Sequence, residues 1–293
     1  MQVSVRDLQR RSPRDMPDSP TPRLDCDCLL GMILHKPRSW LAAHDDELLT
    51  APQLAAYEAC TARRRTGLPV AYITGHKEFF GLDFAVTQDV LIPKPDTELL
   101  AEQAIAAISE YTRRGGVRGA GSIRIADICT GSGCIVISVL SRFSAQCGIK
   151  AAASDISPAA IETARQNARR LVPQHDIAFI TGSLLDWNEP RQTFDIILSN
   201  PPYVPSHTAR QLLADGRGEP LLALDGGTDG LTVIRKLIPQ AAASLAGGGF
   251  FLIETGEYNS AETAALLSQA GFISVTTYTD LGGMPRVIRA QKP

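Results

Sequence analysis

From Ser122 onward, apolar runs of strand length alternate with helix-patterned segments, and no other feature restricts the fold of this chain so far. Residues 123–128 read as a strand, and a helix begins at 135–140. A second strand covers 149–154, after which Ser157 and Pro158 supply an N-cap and a first-turn residue for the next helix. Further strands are expected at 177–180 and 194–199, then a helix over about 230–245 and strands at 250–254, 272–278 and 286–290. Such alternation predicts an α/β fold with a doubly wound, mainly parallel sheet of seven strands. Ligands of these sheets bind outside the carboxyl ends of the strands, near the point where the winding reverses.

The front of the chain has a different rhythm. Over 22–75 the apolar positions Leu24, Cys28, Leu29 and Ile33, then Leu48, Leu54, Tyr57 and Cys60, follow a helical period that Pro37 and Pro52 divide into short helices. Residues 76–121 are expected to hold a β-hairpin and a connecting helix. Phe79-Phe80 and Phe84-Ala85-Val86 flank a Gly81 turn, Asp96 and Thr97 offer caps, and Gly115, Gly116, Gly119 and Gly121 form a flexible break. Residues 1–21 are Arg-rich and interleaved with Asp7, Asp15 and Asp18, which predicts a disordered, solvated tail rather than a targeting segment. The organisation expected is therefore a tail at 1–21, a helical domain at 22–75, a hairpin and linker at 76–121 and a catalytic domain at 122–293.

The chain has 293 residues with 44% hydrophobic and 20% charged content, the balance of a soluble globular enzyme. A net charge of −2 and a pI near 6.2 provide no global positive field for phosphate backbones, so direct nucleic-acid binding is not expected. No apolar run approaches the roughly 20 residues of a membrane span. The six cysteines (26, 28, 60, 129, 134 and 147) show no paired metal-ligand spacing, so no metal is expected and reduced thiols in a cytoplasmic protein are the reading. Nothing in the sequence requires more than a monomer.

Two stretches carry chemistry. Asp127-Ile128-Cys129-Thr130-Gly131-Ser132-Gly133 closes the first strand of the alternating region and opens a helix. Gly131 and Gly133 permit a tight turn and close backbone approach, and the helix N-terminus favours an anionic group. Val136 stands where a dinucleotide fingerprint has its third glycine, so the loop is not that fingerprint; by itself it also fits a plain glycine-rich strand-to-helix turn, and its pairing with Asp155 is what points to an adenosine. Asp155 ends the second strand and can accept from both hydroxyls of a ribose. The second stretch is Asn200-Pro201-Pro202-Tyr203, directly after the buried strand at 194–199. The Asn200 side-chain oxygen and the Pro201 carbonyl are two acceptors for the N–H pair of a planar amide or exocyclic amine, Pro202 stiffens the turn, and Tyr203 offers a flat face. Accepting both hydrogens localises electron density on such a nitrogen and aims it at an electrophilic methyl group. The motif thus reads as that of an S-adenosyl-L-methionine-dependent methyltransferase acting on a planar nitrogen.

Over nearly the whole chain from Pro22, the sequence resembles the HemK/PrmC family, glutamine methyltransferases of peptide chain release factors. The likeness is carried by 63–75 (Arg63 to Gly75), Glu78-Phe79-Phe80, Leu91-Ile92-Pro93-Lys94-Pro95-Asp96-Thr97-Glu98, Leu198-Ser199-Asn200-Pro201-Pro202-Tyr203 and Glu219-Pro220-Leu221. The resemblance implies a Rossmann-like class I methyltransferase domain behind a helical domain that docks the release factor, and a glutamine of a Gly-Gly-Gln loop as the methyl acceptor. It implies that Asn200, Pro201 and Tyr203 serve the reaction, with Pro202 completing the substrate-binding set. Cys129, Thr130, Gly131, Ser132, Gly133, Asp155, Leu184 and Asn200 would hold the cofactor. Three positions depart from the family pattern: Lys94 stands for the usual Arg, Cys129 for the usual first glycine, and Ser183 for an acidic residue, with Asp186 nearby. The long connection 203–228 is expected to act as a lid. An enzyme acting on an exocyclic amine of DNA or RNA is the alternative, and a non-catalytic binding protein a further one.

Overall fold

The computed structural model describes residues 3–115, 122–188, 193–214 and 218–293, and the chain divides into two compact units. Most of the glycine break, 116–121, lies outside the described residues.

The first unit, 1–76 with 212–218, is helical. Helices Pro22–Leu34, Arg38–Ala43, Ala51–Arg65 and Val70–Thr74 surround a core of Leu29, Leu30, Leu41, Tyr57 and Ile73. The two prolines expected to divide this run into short helices each stand at a helix start. Pro37 is an N-cap, and Pro52 lies in the first turn behind the Thr50–Gln53 capping box, where its missing N–H costs nothing. Buried Asp25 is paired with Arg64 at 2.8 Å. The expected tail is corrected: Val5–Asp15 is a helix. Ser4 and Asp7 form a capping box, Val5 and Leu8 are fully buried, and the Val5 and Leu49 amides donate to the Glu47 and Val3 carbonyls. Arg6, Arg10 and Arg14 are exposed while Arg11 lies over the Tyr57 ring, so the charge that reads as disorder belongs mostly to the solvated side of an amphipathic helix.

The second unit, 77–211 with 219–293, holds the sheet. It is entered through a hairpin of β1 (His76–Phe79) and β2 (Leu82–Ala85). Phe80 and Gly81 at the turn both have positive φ, as a type I′ turn requires. The Phe80 amide donates to Glu98 and the Gly81 amide to Glu78, which holds a bulky residue in that conformation. The strands that follow are β3 (Ile123–Ile128), β4 (Ile149–Asp155), β5 (Ile177–Thr181), β6 (Phe194–Ser199), β7 (Leu245–Glu254), β8 (Ile273–Thr279) and β9 (Pro285–Gln291). Their order is β5-β4-β3-β6-β7-β9-β8, parallel except for β9, which runs antiparallel to both β7 and β8. Side chains alternate between two cores. Ile125, Leu198 and Leu252 pack with helices Glu98–Arg113 and Cys134–Leu140, whereas Ile128, Ile197 and Ile253 pack with Thr232–Ser244. This period of two, buried on both faces, explains why the strands read as unbroken apolar runs.

Winding proceeds from β3 to β4 and β5 on one side, and β6 returns to the other side of β3. The switch point is thus the β3/β6 edge. Among its described residues the connection after β6 carries helices Ser206–Ala214 and Leu221–Leu224, and Val204 bridges Asp225. Among the described residues, no helix is long and apolar enough to cross a membrane.

Candidate active site

Four strands end on one level. Ile128 pairs with both Ser154 and Ser199, and Ser199 pairs with Ile253. The next residues, Cys129, Asp155, Asn200 and Glu254, therefore stand in a row along the carboxyl edge of the sheet. A cavity of about 490 Å³ opens there. Of the residues singled out from the sequence, Cys129, Thr130, Gly131, Ser132, Asp155, Leu184, Asn200 and Pro202 line it; Gly133, Pro201 and Tyr203 do not.

The glycine loop is held by its own polar groups. The Thr130 amide donates to the Ser154 carbonyl at 3.0 Å, and its hydroxyl to Asp127 Oδ2 at 2.7 Å. Asp127 is fully buried, and desolvation pushes its carboxyl up to about 7 against that hydroxyl and the Val136 amide. Asn167 donates from Nδ2 to the carbonyls of Ser132 and Ala85 and accepts from the Ala85 amide, so one side chain ties hairpin to loop. Gly133 is favoured by its φ of +79°, and a Cβ there would also crowd Ala164 Cβ at 3.1 Å. At Gly131 a Cβ would meet nothing, so the backbone is open.

Cys129 has a φ of +62°, a conformation that glycine adopts without cost and a β-branched residue resists. Burial and the charges of Asp155 and Asp127 push its thiol up, so it stays protonated. Cys129→Gly is expected to leave the melting temperature nearly unchanged, whereas Cys129→Val loses about 1–3 kcal/mol. Equal stability of the two variants in thermal denaturation would contradict the strain.

Asp155 accepts from the Gly131 amide through Oδ2 and from the Ser157 amide through Oδ1, each at 2.9 Å. Asp155 lines the cavity at the sheet edge, where hydroxyl donors can reach its oxygens beside the backbone amides. Burial raises its pKa, opposed by these amides. On the far wall Leu184 has a φ of +49°, and its carbonyl accepts from Ser154 Oγ and Trp187 Nε1. Asp186 does not line the cavity and accepts instead from Gln240, whose Oε1 accepts from the Leu185 amide. Ile135 and Ile156 add apolar wall. A carboxylate able to take two hydroxyls, an apolar slot and open loop backbone together fit a nucleoside carrying a charged tail.

At the reacting end, Asn200 Nδ2 donates to Thr97 Oγ1 at 3.3 Å, which leaves Oδ1 to accept. Thr97, expected as a helix cap, makes no capping bond; its own φ/ψ are already helical, and its hydroxyl faces Asn200. Tyr203, expected as a flat cover for substrate, is largely buried; it packs against the second core, and its hydroxyl donates to Glu254 Oε1 at 3.2 Å. The Tyr203 carbonyl accepts from Tyr258 Oη and Asn259 Nδ2, and Gly230 lies so close that a Cβ would sit 2.2 Å from that oxygen. Lys94 pairs with buried Glu219 at 2.6 Å, anchoring the Pro220–Ala223 part of the wall. The sequence showed Thr97 only as a cap and Asp127 only as the end of a strand, and Glu254 stood in no motif. A charged residue interrupting or ending an apolar strand was the available signal for the two acids.

Two family models match the chain: the PrmC N-terminal domain over residues 15–75 and a methyltransferase domain over 125–217. A release factor glutamine methyltransferase of Koribacter versatilis is 38% identical over 277 residues, covering 94% of this chain and 93% of that protein. The enzyme of the same description from Burkholderia pseudomallei is also 38% identical, over 94% of both chains. Among solved structures, the hMettl16 catalytic domain in complex with an RNA hairpin aligns with a TM-score of 0.53 over 83% of this chain and 84% of its own. At 16% identity that likeness concerns the fold alone.

Proposed function

The chain belongs to the release factor glutamine methyltransferases, and on that premise we propose that it transfers a methyl group from S-adenosyl-L-methionine to the side-chain amide nitrogen of the glutamine in the Gly-Gly-Gln loop of peptide chain release factors. The observation that carries this reading is the row at the sheet edge. Asn200, with Nδ2 committed to Thr97, stands beside the loop Cys129–Ser132 and one strand further from Asp155.

S-adenosyl-L-methionine supplies an electrophilic methyl group on a sulfonium. Asp155 accepts from its ribose hydroxyls, Leu184 and Ile156 enclose the base, and Cys129, Thr130, Gly131 and Ser132 receive the amino-acid tail, with Gly133 keeping the loop turned. Asn200 Oδ1 and the Pro201 carbonyl accept the two N–H groups of the glutamine amide. With both hydrogens held, the nitrogen lone pair is less delocalised and points along one line, so positioning supplies much of the acceleration. Pro202 keeps this turn rigid and Tyr203 braces it from behind. The helical unit, matched by the PrmC N-terminal model, docks the release factor.

The test is transfer of labelled methyl from S-adenosyl-L-methionine to three candidates offered separately: a release factor, duplex DNA and ribosomal RNA. Label is expected on the release factor alone and is expected to vanish when its loop glutamine is replaced. Label on nucleic acid alone, or on the glutamine-replaced factor, would overturn the reading.

A further inference from the structure

The helix that follows β4, Pro158–Leu171, buries a face that includes Ala160, Ala164, Asn167 and Ala168. Small side chains on that face let the helix come close to Gly133. Asn167 stands among them with 0% exposure, and a side-chain amide there needs partners for two donors and an acceptor. It finds all three in the backbone. Nδ2 donates to the Ala85 and Ser132 carbonyls, each at 3.0 Å, and Oδ1 accepts from the Ala85 amide at 2.8 Å. A reversed amide would set its oxygen against two carbonyls and its N–H groups against a third N–H, so these partners fix the orientation.

The two ends of this bridge differ in what else holds them. The hairpin has its own anchors: Phe79 and Phe84 are buried in the core of Ile125 and Leu198, the Phe80 amide donates to Glu98, and Arg170 donates to the Asp83 carbonyl. The loop is softer. Gly131 and Gly133 both have positive φ, and glycine keeps wide backbone freedom on either side of such a turn. The peptide between Ser132 and Gly133 is pinned at two points, its N–H to the Thr130 carbonyl at 2.8 Å and its carbonyl to Asn167. The first bond lies within the loop's own turn, whereas the second refers that peptide to the hairpin and the helix. Ser132 lines the cavity; Asn167 lies behind it and does not.

We propose that Asn167 is a positioning residue for the cofactor: it sets the Ser132–Gly133 peptide in place for the amino-acid tail, with the anchored hairpin as its fixed point. It touches neither cofactor nor release factor. The inference rests on the proposed placement of S-adenosyl-L-methionine, ribose on Asp155 and tail on the loop Cys129–Ser132. The two halves of the ligand then have separate supports, the end of β4 for the ribose and a side chain of the next helix for the tail.

Calorimetry on Asn167→Asp, Asn167→Ala, Arg170→Ala and Asp155→Ala compares two ligands: S-adenosylhomocysteine, which has the tail, and 5′-methylthioadenosine, which lacks it. Asn167→Asp keeps the volume and the acceptor for the Ala85 amide. Arg170, 3.5 Å from that oxygen, favours the charged, acceptor-only form. Two carbonyls then face oxygen, so Kd for S-adenosylhomocysteine is expected to rise about 10- to 100-fold, at least as far as in Asn167→Ala. Kd for 5′-methylthioadenosine is expected to stay within about threefold of the parent in both. Turnover at saturating S-adenosyl-L-methionine is expected to stay within about fivefold, because Asn200 is untouched. Arg170→Ala, which frees the hairpin but not the loop, is expected to bind both ligands within about threefold of the parent. Unchanged S-adenosylhomocysteine affinity in the Asn167 variants, or equal weakening of the two ligands, would overturn the proposal. So would parent-like binding in Asn167→Asp beside a loss in Asn167→Ala, which would mark shape as the cause, or an equal tail-specific loss in Arg170→Ala, which would mark the hairpin. If Asn167→Asp does not fold, Asn167→Ala decides through the same pair of ligands. Asp155→Ala is expected to weaken both ligands. Parent-like binding of both by Asp155→Ala would overturn the cofactor placement, whereas weakening there beside unchanged Asn167 variants would overturn only the positioning role.

Discussion

Asn200→Ala is expected to lower turnover by about 100- to 1,000-fold, the effect of deleting one pre-aligned polar contact to a reacting group. The dissociation constant for S-adenosyl-L-methionine is expected to rise by less than about tenfold in the same variant. The split follows from the geometry. Asn200 contributes one side chain to the cavity wall, while the loop after β3, Asp155, Ile156 and Leu184 line the cofactor side. Its Oδ1 has no duty within the fold that would make the ground state depend on it, since the side chain's bond to Thr97 is made through Nδ2. Single-turnover transfer at saturating cofactor, paired with calorimetric titration, measures both quantities. A variant that loses affinity as steeply as turnover would show that Asn200 serves the cofactor instead.

Asp155→Ala is expected to give the reverse pattern. Two hydrogen bonds to a charged group, each worth about 1.5–3 kcal/mol, are withdrawn from the cofactor, so its Kd is expected to rise about 100-fold or more. The same change leaves the Gly131 and Ser157 amides without their acceptor, so the loop that Asp155 steadies loosens as well. Turnover at saturating cofactor is expected to fall far less. Calorimetry on the parent and on Asp155→Ala, with circular dichroism to confirm folding, checks this. An unchanged Kd would remove Asp155 from the cofactor site.

The sheet was legible in the sequence because its central strands β3, β4, β6 and β7 are buried on both faces, whereas the edge strand β8 is largely exposed and had only its β-branched residues to mark it. The row of functional groups was legible in part, through the residues adjacent to a visible motif. Cys129 and Gly131 follow β3, Asp155 ends β4 and Asn200 follows β6. What escaped was tertiary. Thr97 meets Asn200 across 103 positions, and Tyr203 meets Glu254 across 51; no local pattern encodes either contact. Thr97 was visible as a polar residue before a helix, but its helical backbone turned it from cap to partner. The helix Val5–Asp15 was missed for a different reason. Its Ser4–Asp7 capping box was readable, yet the surrounding arginines outweighed the few apolar residues that make its buried side.

The level ending of β3, β4, β6 and β7 behaves as a ruler. Neighbouring strands lie about 4.8 Å apart, and successive residues along a strand are about 3.3 Å apart and point to opposite sides. Deleting one residue inside β6 would draw Asn200 back from the edge and turn it to the other face, with every buried side chain of the strand turned as well. Lengthening the connections between strands leaves that ruler untouched. Drift in chain length within this family of sequences should therefore be confined to the crossovers, while each of these four strands keeps its reading frame to the residue.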